Sequence, residues 1–188
     1  MIKILGISGS LRTQSYNTAL LKVAKSLAVD GIELEIATLH GIPLYDGDLE
    51  QSEGIPAAVK ALKDRILAND GVLLSTPEYN NGIPGVFKNA IDWMSRTGPG
   101  NPSIFTNLPV AVIGASPGGF GTILSQNAWL PVLKTLGTQH WAGGRLMLSR
   151  AHTLIDENGS IADEATRKLL GGFLQGFAEF VRQAKHDE

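Results

Sequence analysis

Four short runs rich in apolar residues, at 3–7, Ile32–Ala37, Gly71–Ser75 and Pro109–Ala115, alternate with longer segments whose apolar residues recur every three or four positions. A short apolar run suits a strand buried on both faces, whereas three- and four-residue spacing gives a helix one apolar stripe. The stripes can be counted: Leu20, Ala24 and Leu27; Ile55, Val59, Leu62 and Ile66; Phe87, Ile91 and Met94; Leu170, Phe173, Phe177 and Phe180. Pro84, after Asn80-Asn81-Gly82, suits the first turn of a helix over 86–94, where a missing N–H costs nothing. Residues 139–142 read as a weaker fifth strand, and Asp156-Glu157-Asn158-Gly159 as a turn before the last helix. Strand and helix thus alternate five times within a single expected domain over residues 1–188. Right-handed crossovers then give a parallel, doubly wound α/β sandwich of three layers, with ligands at the carboxyl ends of the strands.

Composition narrows the chemistry. The 188 residues include no cysteine, which removes disulfides, thiolate nucleophiles and Cys-ligated metals, so redox work would fall to a bound cofactor. Sixteen basic against eighteen acidic residues leave a formal charge of −2, with no basic surplus for a nucleic acid. His40, His140, His152 and His186 show no metal-ligand spacing, and no metal site is expected. No apolar stretch reaches the roughly 18 residues of a membrane span and no leader is read, so a cytoplasmic protein without membrane contact is expected.

The loops after the first, third and fourth strands are the places to look. The first, residues 6–18, carries Ser10, Arg12, Ser15, Asn17 and Thr18 into a helix start. Hydroxyls, a guanidinium and free N–H groups at a helix N-terminus make an anion site. An N-capped turn would use the same residues, but Arg12 opposes the helix dipole unless an anion sits between them. The loop is neither a Walker A sequence nor a GxGxxG fingerprint, and Gly6-Ile7-Ser8-Gly9-Ser10 lacks the last glycine of a nucleophile elbow. The second loop, Ser75 to Gly85, places Pro77, Glu78, Tyr79 and Asn80 at a strand end. Such a rigid turn suits the edge of a flat heteroaromatic ring, with Tyr79 either packing on it or serving as a half-buried structural residue. The third, Gly114 to Thr122, offers Ser116, Gly118 and Gly119, where backbone can approach a ligand; Phe120 stands where a P-loop would need lysine. A phosphate at one end and a hydrogen-bonding ring at the other describe FMN.

These residues resemble the NAD(P)H-dependent FMN reductases, the flavodoxin-like group that includes chromate and quinone reductases. The matching segments are Gly9-Ser10-Leu11-Arg12-x-x-Ser15-x-Asn17 and Pro77-Glu78-Tyr79-Asn80, the latter followed by Gly82-x-Pro84-Gly85-x-x-Lys88-Asn89-Ala90-Ile91-Asp92-Trp93. The resemblance implies a flavodoxin-like fold with a five-stranded parallel sheet in the order 2-1-3-4-5. Ser10, Arg12, Ser15, Asn17 and Thr18 would hold the FMN phosphate. Pro77, Glu78, Tyr79 and Asn80 would line the isoalloxazine, with Ser116, Gly118 and Gly119 meeting the ring from the third loop. FMN would take hydride from NADPH or NADH and pass electrons to a small acceptor (a quinone, flavin, azo compound or metal oxyanion) in a ping-pong scheme without a dedicated side-chain acid or base. Arg96 stands close enough after the second loop to meet a 2′-phosphate. Self-association as a homodimer or homotetramer is also implied. A flavodoxin-type electron carrier or a flavin-binding sensor is the alternative that the same residues allow.

Overall fold

A computed structural model of the chain describes residues 1–98 and 100–186. Strands β1 (Ile2–Ser8), β2 (Ile32–Ala37), β3 (Gly71–Ser75), β4 (Pro109–Ala115), β5 (Gln139–His140) and β6 (Leu146–Leu148) form one parallel sheet. Its order is β2-β1-β3-β4-β5, with β6 also paired to β4. The expected 2-1-3-4-5 order is therefore the observed one. Helices α1 (Tyr16–Ser26), α2 (Gly47–Glu53), α3 (Ala57–Leu67), α4 (Gly85–Met94), α5 (Ile123–Thr135), α6 (Ala151–Leu154) and α7 (Glu164–His186) complete the order. None of these helices is long and apolar enough to cross a membrane.

The period of two along the strands divides the core. Ile4, Leu73, Ala111, Ile113 and Leu146 point toward α1 and α7, where they pack with Leu20, Phe173 and Phe177. Leu5, Val72, Leu74, Val110 and Val112 point to the other face, against Val59, Leu62, Phe87, Ile91 and Trp129 of α3, α4 and α5. Burial on both faces is why these strands read as near-continuous apolar runs.

Three details depart from the sequence reading. The fifth sheet position is split: β5 pairs with Pro109 and Val110, and β6 with Ile113 to Ala115. Between them the Trp141 amide still donates to the Val110 carbonyl (2.8 Å), while its ring packs edge-on against Phe173, with ring centroids 4.9 Å apart. The strand expected over 139–142 ends at His140. Second, a helix that the apolar stripes do not mark, α2, stands before α3, with Asp46 as its cap accepting the Asp48 amide. That helix buries no residue, so it leaves no apolar stripe to read. Third, Pro84 occupies the cap position before α4, one residue ahead of the first helical turn.

The far end of α7 is tied to the sheet by Asp70. Its carboxylate accepts from the Lys3 amide (2.8 Å) and from Lys185 Nζ (2.6 Å). Partial burial acts to raise its pKa, but these bonds and the two lysine charges hold it below its ordinary value near 3.8. A carboxyl whose folded pKa is depressed adds stability above its unfolded value and loses it as pH falls through the folded one. Asp70→Asn should flatten the decline in unfolding free energy between about pH 5 and 2, as measured by urea titration at each pH. Gly114 supplies a second check, because a Cβ there would run into Thr122 and the Thr76 carbonyl. Gly114→Ala should cost about 1–3 kcal/mol in the same assay.

Candidate active site

The sheet register brings the carboxyl ends of β1, β3 and β4 together: Ser8 lies beside Ser75, and Ser75 beside Ile113. A single buried side chain locks these ends. Asn17 Nδ2 donates to the Ala115 carbonyl (2.9 Å), and the Ala115 amide donates back to Asn17 Oδ1 (3.0 Å). The Ser75 hydroxyl donates to Asn17 at both its carbonyl oxygen (3.2 Å) and Oδ1 (3.1 Å). Among the described residues no buried side-chain polar atom lacks a partner.

The first loop turns into α1 at Ser15, whose Oγ accepts the Thr18 amide (3.3 Å) as an N-cap. Thr18 turns its own hydroxyl inward to Ser8 (2.7 Å). Ser10 is buried, and its Oγ accepts the Arg12 amide (3.2 Å). The Tyr16 and Asn17 amides have no acceptor among the described residues, as expected for the first turn of a helix. Arg12 has no carboxylate within ion-pair distance there either, and its guanidinium rests 5.0 Å from the Tyr16 ring centroid. The sequence reading passed over Tyr16. Its signal was the four-residue spacing from Arg12 into a helix start.

The second loop is a tight hairpin. Tyr79 and Gly82 exchange both backbone bonds, with Asn80 and Asn81 at φ of 50° and 61° between them. Two positive φ values are the turn that asparagine tolerates best among residues with a side chain. Tyr79 is 48 % exposed. Glu78 is turned away from the hairpin: one carboxylate oxygen accepts the Leu124 (2.9 Å) and Ser125 (3.0 Å) amides at the start of α5. The third loop is tied on its other side, where Ser116 donates its amide to the Leu148 carbonyl (3.0 Å) and Arg150 donates to Gly118 (2.9 Å).

Between the loops lies a cleft of about 300 Å³. Of the twelve sequence-predicted residues, it brings together Ser10, Arg12, Ser15 and Asn17 from the first loop with Pro77, Glu78, Tyr79 and Ser116 from the others. Thr18, Asn80, Gly118 and Gly119 are not in its wall; Thr18 faces a neighbouring cleft of about 400 Å³ between α1 and the 155–159 turn. That cleft is larger, but of the three loops it draws on the first alone, and it has Arg12, Ser15 and Tyr16 in common with the cleft between the loops. Arg96 is already engaged, since its Nε donates to both Glu50 oxygens (3.0 and 2.9 Å). Among the described residues no cluster of acids and histidines could hold a metal; the His186 side chain lies outside them.

The geometry fits a flavin nucleotide. A cation without an ion pair and two free helix amides lie in one cleft, a donor set that suits an anion. Outside the wall of the cleft, a Cβ built on Gly119 would meet nothing within 4 Å, and one on Gly118 only Ser116 Oγ at 3.8 Å, so packing does not demand glycine at either position. Asn17→Ala would strand the buried Ala115 amide and carbonyl and should cost about 2–3 kcal/mol in chemical unfolding.

Known proteins bear on this geometry. Residues 2–153 match the sequence model of a family described as NADPH-dependent FMN reductase. The chain is 41 % identical over 184 residues to an NAD(P)H-dependent FMN reductase of Pseudomonas aeruginosa, covering 98 % of this chain and 97 % of that one. It is 36 % identical over 184 residues to a 2-hydroxy-1,4-benzoquinone reductase of a Burkholderia species, covering 98 % of each. Among solved structures it resembles the flavoenzyme NAD(P)H:(acceptor) oxidoreductase FerB of Paracoccus denitrificans, with a TM-score of 0.85 and 35 % identity over 98 % of this chain and 99 % of that one.

Proposed function

We propose a specific role for this chain within the family to which it belongs, the NADPH-dependent FMN reductases: reduction of a quinone-type small molecule at a cleft that holds FMN. Membership makes the chain a flavin-dependent oxidoreductase with FMN as cofactor and NAD(P)H as reductant. The observation that carries the site assignment is the pairing of an uncompensated Arg12 with the free Tyr16 and Asn17 amides in the same cleft as Tyr79 and Ser116.

Each side chain has a task that the geometry supports. Arg12, stacked on Tyr16, supplies the charge that fixes a phosphate, and the α1 amides supply oriented donors. Ser10 and Ser15 accept backbone N–H groups and keep their hydroxyl protons available to an anion. Asn17 acts through the backbone, by holding the third loop against the first. Pro77, Tyr79 and Pro117 line the cleft and offer flat apolar walls for a ring. FMN, when bound, supplies the two-electron chemistry that the side chains of a cysteine-free chain do not. A flavin ring held between the loops would meet reductant and acceptor at the same cleft. Reductant and acceptor would therefore use it in turn, which is the basis for a ping-pong scheme. The benzoquinone reductase among the relatives supports a quinone as that acceptor. The exposed Tyr79, Phe120 and Leu124 around the second and third loops support self-association at this rim.

Arg12→Ala should weaken FMN binding by about 1.5–3 kcal/mol, roughly ten- to hundredfold in Kd, in a fluorescence-quenching titration. An unchanged Kd would remove Arg12 from the phosphate site. Initial rates of NADPH oxidation with benzoquinone as acceptor should give parallel double-reciprocal lines. Intersecting lines would mean that both substrates bind together, and no quinone-dependent oxidation would overturn the acceptor class.

A further inference from the structure

Helix α5 begins without a cap of its own. Its N-cap residue, Thr122, sits in the left-handed region at φ 70° and makes no side-chain cap bond. The Thr122 hydroxyl instead accepts from Gln126 Nε2 (3.1 Å). The first-turn amides of Leu124 and Ser125 are satisfied from 46 and 47 residues away, by the Glu78 carboxylate. A negative charge there also suits the positive end of the helix dipole.

A second tie runs beneath the first. Thr76 Oγ1 shares a hydrogen bond with Ser125 Oγ (2.9 Å) and accepts Trp129 Nε1 (3.1 Å), all of it buried. Thr76 and Glu78 flank Pro77, so the second loop is fastened to α5 on both sides of a residue that lines the cleft. The third loop runs from β4 into α5. It is held at one side by Leu148 and Arg150 and at the other by the Glu78 bonds.

We infer that Glu78 is a positioning residue: by holding the first turn of α5, its carboxylate sets the spacing between the two loops that flank the ring. The inference rests on the reading of the cleft as a flavin site and deepens it. Glu78 acts on the ring end through the third loop, and leaves the phosphate end, built from α1, untouched. Its removal should therefore weaken any flavin equally, with or without a phosphate.

The test compares FMN with riboflavin, titrated into the flavin-free full chain of wild type, Glu78→Ala, Glu78→Gln and Glu78→Asp. Glu78→Ala should raise both dissociation constants by the same factor, about tenfold or more. Glu78→Gln keeps an acceptor oxygen and should recover most of that loss. Glu78→Asp, shorter by one methylene, should lie between and keeps the test open if the alanine variant does not fold. A general loss of stability in a protein that still folds would not produce this pattern of equal losses rescued by glutamine. Wild-type flavin affinity in Glu78→Ala or Glu78→Asp would overturn the inference. So would a loss confined to FMN, or a glutamine variant no better than alanine. Failure of the wild-type chain to bind either flavin would instead overturn the reading of the cleft itself, and the inference with it.

Discussion

The Asn17 side chain is the constraint on which the arrangement depends. Parallel strands bring their carboxyl ends to one edge, but each ends in a separate loop, and nothing in the ladder fixes how those loops sit relative to one another. Asn17 does so by a reciprocal amide exchange with Ala115 and by accepting the Ser75 hydroxyl. One residue at the start of α1 thereby couples the ends of β3 and β4. Its interior setting matters, because a buried polar group left unpaired costs about 1–3 kcal/mol, which favours the one geometry in which every bond is made.

Around that lock the polar groups divide their work. Asn17, Thr18, Thr76 and Glu78 are spent on the protein itself, bonding to Ala115, Ser8, Ser125 and the α5 amides respectively. Arg12 and the free amides of α1 are not spent, and they converge on the cleft beside Tyr79 and Ser116. Rigid walls and unpaired donors are what a site needs when a cofactor performs the chemistry and the protein orients it.

Much of this was legible in the sequence because the signals are local. Apolar runs and stripes gave the alternation, Ser15 before Tyr16 gave a helix start, and Pro84 and the Asn80-Asn81-Gly82 turn gave another. The misses are non-local or carry no apolar signal. Helix α2 buries nothing, and just past β5 Trp141 packs on Phe173, a partner in α7 that is distant in sequence. Glu78 and Asn17 sat in the right loops, but the protein groups that hold them lie 46 and 98 residues away and leave no local trace. The Glu50 carboxylate that holds Arg96 is likewise 46 residues away.

The measurement that tests the account most directly is the visible spectrum of the purified chain after loading with excess FMN and removal of the unbound fraction, followed by anaerobic NADPH. The account predicts a retained flavin band that bleaches on mixing. Absence of a retained band would contradict the reading of the three loops as a flavin cleft, and a retained band that NADPH leaves oxidised would contradict the reductase.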